Sequence, residues 1–548
     1  MEECEVRART SAGWVCGARR WSEYGGVYYA SFRGVPYARQ PLGELRFKEL
    51  QAPESWDHLL DATNEGDICP QTDVLYGPLM RPRGMSEACI HANIHVPISA
   101  LPRESQVNSS VEEAPNNATG LSILVFIHGG VLAFGSGDSD LHGPEYLVSH
   151  GVIVITFNYR LNVFGFLSLN STKIPGNNGL RDMITLLRWV RDNARNFGGN
   201  PDDVTLGGQS AGAVSAHLLT LSPEAQGLFK RTILMSGTAM PVFFTTSPLY
   251  AQSMANAFIT GLGINSTDPD DIHQQLLKMP LEKIMEMNKL LQDQNGLGVF
   301  YPVVESRLPG VKRILSDDPE LLLQNGTGND IPLLLGFTDV EAETFRKRFE
   351  EIDMVSRIND NPLVVVSPTV TTSVPTQVAF ARAMQIEQRY FNGTPSMDQY
   401  VKLVTEQFFH YTALKVADYR SRTDGAPVFL YQFPYDADFS LLRTALGVNY
   451  TGAAHIEDMT YLFHCNSVRV PYSDSDYDMK RLMNQYVVNF MRYSHPAPDS
   501  SWQPVDRDGI RYLELHSAAV QHLAELTPDQ RSMLDFFDGI MARDQIAV

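Results

Sequence analysis

Short, continuously apolar runs separated by stretches of helical spacing recur through the middle of this chain and set its architecture. Leu121-Ser-Ile-Leu-Val-Phe-Ile127 and Val152-Ile-Val-Ile-Thr-Phe157 are β-branched or aromatic at most positions and show no polar alternation. Such runs read as strands buried on both faces. From Gly179 to Phe197 the pattern changes: apolar residues fall at Met183, Leu186, Leu187, Trp189 and Val190, and Gly198-Gly-Asn-Pro201 follows as a stop. That spacing predicts a helix. A further strand then leads to Ser210, helical spacing resumes through Ala213, Val214, His217, Leu218 and Leu221, and apolar runs return at 231–235, 331–335 and 428–431. Strand and helix in alternation predict an α/β fold, with a large, mostly parallel central sheet covered by helices on both faces. There is no internal repeat. The segment from Leu101 to Gly120, rich in Glu, Asn, Ser and Pro, reads as a solvated surface loop, and the region from about Ser247 to Lys289 as a helical insertion.

Composition narrows the class. Of 548 residues, 43% are hydrophobic and 10% aromatic, enough for a large core, and the charged fraction of 20% is too low for a mainly disordered chain. The formal charge of −19 opposes nucleic acid or an anionic membrane as partner. The longest apolar runs fall short of the roughly 18 residues that a transmembrane segment needs. Met1 to Arg20 carries Glu2, Glu3, Glu5, Arg7, Arg9, Arg19 and Arg20 without an apolar stretch between them, so no signal peptide is visible and a cytoplasmic location is expected. Against this stand seven N-x-S/T sequons, beginning at Asn108, Asn117, Asn170, Asn265, Asn325, Asn392 and Asn449, which suit an extracellular glycoprotein with a processed N-terminus. The five cysteines are Cys4, Cys16, Cys69, Cys89 and Cys465; their odd number leaves at least one unpaired in a monomer, and only Cys69 and Cys89 are spaced like a loop staple. No Cys/His cluster has zinc-ligand spacing, and no metal or cofactor is expected.

The candidate chemistry starts at Val204-Thr-Leu-Gly-Gly-Gln-Ser-Ala-Gly-Ala213, whose G-x-S-x-G core (Gly208, Ser210, Gly212) lies between a predicted strand and a predicted helix. In such a turn the glycines remove side chains that would clash, and the serine hydroxyl projects from a strained corner in front of the helix N-terminus. A nucleophilic serine needs a base, a carboxylate to orient that base, and donors for an oxyanion. His128-Gly-Gly130, directly after a strand, supplies bare backbone for the last role. His455 sits in the small-residue loop Gly452-Ala-Ala-His-Ile-Glu-Asp458 and is the favoured base, over His464 and His495. Glu341 follows the run ending at Leu335, at the carboxyl end of a strand, where open α/β sheets place their sites; Asp339 and Glu343 are its neighbours and rivals. The order Ser, Glu, His is that of the α/β-hydrolase fold.

Further motifs make a resemblance specific: Phe32-Arg-Gly-Val-Pro-Tyr-Ala38, Pro41-Leu-Gly-Glu-Leu-Arg-Phe47, Asn158-Tyr-Arg160, Gly176-Asn-Asn-Gly-Leu-Arg-Asp182 and Phe197-Gly-Gly-Asn-Pro201. With the motifs above they resemble the type-B carboxylesterases, the cholinesterase-like branch of the α/β-hydrolases, from about Val6 to beyond Trp502. The likeness is greatest to insect carboxylesterases of the lepidopteran type, where Gln often precedes the serine, as Gln209 does here. The resemblance implies one catalytic domain of about residues 6–540, with helical insertions around 247–289 and 340–425. It implies a triad of Ser210, Glu341 and His455, an oxyanion hole from the N–H groups of Gly130, Val131 and Ala211, and a Cys69–Cys89 disulfide over the pocket mouth. It also implies structural ion pairs, Arg46 with Glu87 and Arg160 with Asp182. The expected activity is hydrolysis of small to medium apolar carboxylic esters through an acyl-enzyme, with xenobiotic, pheromone or hormone esters as candidate small-molecule substrates. The alternative is a catalytically silent adhesion or binding module, against which retention of all three triad residues argues. Four departures stand out: Val131 where the family has Gly or Ala, Leu132 where it has an aromatic, Ala88 in place of Asp in Glu87-Ala-Cys-Ile90, and Ala342 in place of Gly. Pro70 to Ala88 contains Tyr76 but no Trp, which disfavours a choline site.

Overall fold

The computed structural model describes residues 4–102, 120–499, 501–507 and 509–542. Most of the loop expected at 101–120, with Asn108 and Asn117, lies outside the described residues. Thirteen strands among those residues form one sheet: β1 (Val6–Arg9), β2 (Trp14–Ser22), β3 (Val27–Pro36), β4 (Leu60–Asp61), β5 (His91–Pro97), β6 (Leu121–Ile127), β7 (Ile153–Phe157), β8 (Gly199–Gln209), β9 (Arg231–Met235), β10 (Leu333–Thr338), β11 (Val428–Phe433), β12 (Arg511–Leu515) and β13 (Gln521–Glu525). Their spatial order is β1-β2-β3-β5-β7-β6-β8-β9-β10-β11-β12-β13, with β4 paired to β2 off this path.

The sheet is mixed. From β7 through β12 every pairing is parallel, while β1, β2, β3 and β5 at one end and β13 at the other pair antiparallel along the path, and the short β4 pairs parallel with β2 beside it. The parallel centre comes from the continuous apolar runs, and its strands are buried almost throughout. The antiparallel flank has a different pattern, shown by β1, where Val6 and Ala8 face inward and Arg7 and Arg9 outward. One-sided burial of this kind is what an antiparallel edge tolerates and a central parallel strand does not. The register aligns the carboxyl ends of the central strands: Ile127 pairs with Gly208 and Gln209 with Met235. Helices run at Pro248–Gly261, Pro269–Lys278 and Leu281–Asn295, and a further helical block spans 341 to 421 between β10 and β11.

Two disulfides are present, Cys69–Cys89 and Cys4–Cys16, and Cys465 is buried and free. The second bridge escapes a reading of spacing, because the antiparallel pairing of β1 with β2 is what carries Cys4 back toward Cys16. Both expected ion pairs form. Arg46 pairs with Glu87, and Arg160 donates through Nε and Nη2 to Asp182 at 2.8 and 2.6 Å while its own backbone N–H adds a third bond at 3.0 Å. Arg160 and Asp182 are both buried. Asp182→Ala therefore leaves the guanidinium without its counter-charge, and an unfolding titration should show a loss of about 3 to 5 kcal/mol. Asp202→Ala, which removes the solvent-exposed partner of Arg195, should stay within about 0.5 kcal/mol of the parent.

Candidate active site

Ser210 stands where β8 gives way to the helix Ala211–Thr220, at φ 57° and ψ −126°. A residue other than glycine rarely takes positive φ, and the strain persists only where the surroundings over-determine it. They do so here through backbone contact. The Ser210 N–H donates to the Met235 carbonyl at 2.8 Å. A Cβ on Gly212 would lie 2.0 Å from the Ile127 carbonyl oxygen, and one on Gly208 would lie 2.4 Å from the Gly212 carbonyl carbon. The helix is thus drawn onto the sheet with no room for a side chain on either flank of the serine.

The turn after β6 lies against the same corner. A Cβ on Gly129 would be 3.1 Å from the Ser210 Cβ. The chain then turns through Gly130, Val131 and Leu132 at φ 102°, 58° and 60°. Holding Val131, which is β-branched, and Leu132 there costs on the order of 1 to 3 kcal/mol each. The Gly130 carbonyl fastens the turn by accepting from Ala133 and Phe134 at 2.8 and 3.0 Å, whereas the N–H groups of Gly130 and Val131 meet no acceptor among the described residues. Buried amides left open in this way are donors available to an incoming oxygen. Behind them, burial pushes the His128 imidazole down to about 4, so it stays neutral while its Nδ1–H donates to the Gly129 carbonyl at 2.8 Å.

Glu341 and His455 meet from two other loops. Glu341 opens the 3-10 turn Glu341–Phe345 after β10, and its carboxylate accepts the Thr338 N–H at 2.8 Å and the His455 Nδ1–H at 2.6 Å. Both residues are buried. The His455 N–H also donates to the Glu341 carbonyl at 3.1 Å, and the Thr344 hydroxyl donates to the His455 carbonyl at 2.8 Å, so the ring is aimed by its backbone as well. The rivals are occupied elsewhere. Asp339 accepts the Ala453 N–H at 2.7 Å, Glu343 pairs with Arg346, His464 bonds the Tyr146 hydroxyl, and His495 packs on Phe429.

Several residues at the site carry no sequence signal. The rings of Phe409 and Phe345 lie 4.7 and 5.1 Å from the His455 ring. Phe409 arrives on a π-helical turn, Thr405–His410, tied back by the Ala342 N–H to Thr405 Oγ1 at 3.0 Å. A π-turn depends on an i to i+5 bond that leaves no residue pattern to read. Glu457 braces the histidine loop by accepting the Ala454 N–H at 2.8 Å and the Ser440 hydroxyl, and Asp458 accepts the Tyr431 hydroxyl at 2.8 Å. Burial pushes both carboxyls up to about 7, with the charge of Glu341 adding to the effect on Asp458. The Gln209 side-chain nitrogen reaches the His455 Nε2 at 3.1 Å, joining the serine corner to the histidine loop. Its position beside Ser210 was visible in the sequence, but its contact was not. Among the described residues, no group of three or more His, Cys, Asp or Glu is arranged to hold a metal ion. A polar cleft of about 400 Å³ beside β2 and β3, lined by Arg20, Arg33, Glu65, Asp138, Asp140 and Glu145 among others, contains none of Ser210, Glu341 and His455.

The pattern that defines the carboxylesterase family matches residues 4–531. The juvenile hormone esterase of Heliothis virescens is 50% identical over 550 residues, covering 99% of this chain and 95% of that protein. The para-nitrobenzyl esterase of Bacillus subtilis is 31% identical, covering 75% and 78%. Among solved structures, juvenile hormone esterase from Manduca sexta with OTFP covalently attached superposes with a TM-score of 0.93 at 54% identity, covering 98% of this chain and 99% of that one.

Gly212→Ala would drive a methyl group into the Ile127 carbonyl and displace Ser210. Covalent labelling of the serine by an organophosphate should slow by about 100-fold. Gly539→Ala, in open space, should label at the parent rate.

Proposed function

The chain belongs to the carboxylesterase family and is a carboxylic ester hydrolase of the α/β-hydrolase fold; from that premise we propose that Ser210, His455 and Glu341 are its nucleophile, general base and orienting carboxylate. Ser210 Oγ attacks the ester carbonyl carbon while its proton passes to His455 Nε2. Glu341 keeps the ring in the tautomer whose Nε2 is free to accept, and stabilises the imidazolium that forms. The carbonyl oxygen becomes an oxyanion held by the N–H groups of Gly130, Val131 and Ala211. As the tetrahedral intermediate collapses, the bond to the alcohol breaks, the alcohol leaves with the imidazolium proton, and Ser210 is left acylated. Water then attacks with His455 again as base, and the acid is released.

What supports these roles above all is the 2.6 Å bond from His455 Nδ1 to Glu341, buried on both sides and carried by a loop beside the strained serine. The open amides of the β6 turn add to it. For the substrate we propose an apolar ester of the juvenile-hormone kind. The support is identity of 50% and 54%, across nearly the full chain, to the Heliothis and Manduca proteins of that name. The apolar surroundings of the site, with Val131, Leu132, Phe345 and Phe409 buried about it, suit such a ligand. Two disulfides and exposed asparagines at the sequons 170, 265, 325, 392 and 449 support an extracellular glycoprotein.

Ser210→Ala should abolish hydrolysis of a short nitrophenyl ester with an unchanged melting temperature; activity within tenfold of the parent overturns the mechanism. Juvenile hormone should be hydrolysed with a higher kcat/KM than the short nitrophenyl ester. The reverse ranking removes the hormone assignment and leaves the esterase standing.

A further inference from the structure

We propose that Asn162 is a positioning residue for the oxyanion turn, aiming and polarising the Val131 N–H through two chains of hydrogen-bonded amides that converge on the Gly130 carbonyl. This rests on the reading of the Gly130 and Val131 amides as oxyanion donors. The Gly130 carbonyl and the Val131 N–H belong to one trans peptide plane and point in opposite directions, so whatever grips the carbonyl sets the direction of the N–H. Two donors grip it, the N–H groups of Ala133 at 2.8 Å and Phe134 at 3.0 Å. The carbonyls at the other ends of those two peptide units are those of Leu132 and Ala133, and both accept from Asn162. Its backbone N–H reaches the Leu132 carbonyl at 2.8 Å, and its side-chain Nδ2 reaches the Ala133 carbonyl at 2.6 Å. Nδ2 also lies 3.3 Å from the Pro70 carbonyl, beside the Cys69–Cys89 bridge. Both groups that face Nδ2 are carbonyl oxygens, so the position calls for a donor.

Asn162 opens the short helix Asn162–Phe166 at φ 52°, a state asparagine tolerates better than most residues, and it is buried, as are Leu132 and Ala133. The bonds therefore form away from bulk water, where they are strongest. A donor on an amide carbonyl draws electron density from the attached nitrogen and makes its N–H the stronger donor, so the bonds of a chain reinforce one another. The gain depends on the final acceptor: it is small toward the neutral carbonyl of a bound ester and larger toward the oxyanion. An interaction that strengthens in the transition state raises kcat and does not merely tighten binding. Val131 and Leu132 follow one another at φ 58° and 60°, so local preference does not hold the turn and bonds from outside it must. The neighbouring donor has a shorter support, the His128 Nδ1–H on the Gly129 carbonyl, which shares a peptide with the Gly130 N–H. Loss of the Asn162 side chain thus cuts one of the two chains behind Val131 and leaves the support of Gly130 in place.

Two substitutions and two substrates separate this role from a structural one. Glycine takes φ 52° without strain and alanine does not, so Asn162→Gly removes the amide alone, whereas Asn162→Ala adds backbone strain. Sulfur is the weaker hydrogen-bond acceptor, so oxyanion donors favour a soluble nitrophenyl ester over its thiono analogue, in which sulfur replaces the carbonyl oxygen. Values of kcat and KM should be measured for both esters in the parent and both variants, with melting temperatures alongside. On the oxygen ester, Asn162→Gly should lower kcat by about tenfold with KM within about twofold, less than the loss of about 100-fold or more that follows removal of an oxyanion donor outright. On the thiono ester the loss should stay under about threefold. Asn162→Ala should match Asn162→Gly in kcat while melting lower. Parent-level kcat in Asn162→Gly, or an equal loss on the two esters, overturns the proposal and leaves the oxyanion assignment standing. A parent enzyme that hydrolyses the thiono ester as fast as the oxygen ester removes that assignment and with it the basis of the proposal.

Discussion

The contact of backbone on backbone at Gly212 is the constraint from which the rest of the site follows. Because no side chain separates the helix Ala211–Thr220 from the Ile127 carbonyl, the chain has to reverse sharply at the end of β8. The sharp reversal forces Ser210 to positive φ. That backbone state lifts the serine out of the sheet and presents the first turn of the helix to the space in front of it. The same closeness brings the turn after β6 against Ser210, so the serine and the open amides of Gly130 and Val131 come together through one packing event. Widening the helix-to-sheet spacing by a methyl group would separate them.

The second support is electrostatic. His455 and Glu341 are buried, and their 2.6 Å bond operates where water does not screen it. A hydrogen bond of this kind fixes the ring only if the loops carrying it are also fixed. Here Asp339 and Glu457 each take a backbone N–H just ahead of the histidine, and Ile456, just after it, sits at φ 85°, a costly state for a β-branched residue. Strain therefore occurs on both sides of the candidate site, at Ser210, Val131 and Leu132 on one and at Ile456 on the other. Gln209 couples the two halves, being covalently next to Ser210 and in contact with the His455 ring.

The elements most legible in the sequence were those whose function demands a local pattern. The strand runs at 121–127 and 231–235 coincide with β6 and β9, since a strand buried on both faces can be made only of apolar residues. The run at 331–335 marks a strand that begins two residues later and ends at Thr338, because the boundary is set by pairing with β11 and not by composition. The antiparallel flank was not read, although β1 alternates clearly, because four residues are too few to distinguish from chance. Cys4 and Cys16 belong to the same flank, and their bridge was hidden with it.

By itself the sequence determined the strand-helix alternation, the serine turn with its glycines and the glycine turn after β6, because each of these rests on backbone sterics within a few consecutive positions. Only the tertiary structure decided which carboxylate and which histidine meet, that Phe409 and Phe345 flank the imidazole, and that the amide of Gln209 faces the His455 ring. Those outcomes depend on loops carried to one edge by strands far apart in the chain. Nothing local records which of several equivalent side chains arrives within hydrogen-bonding distance.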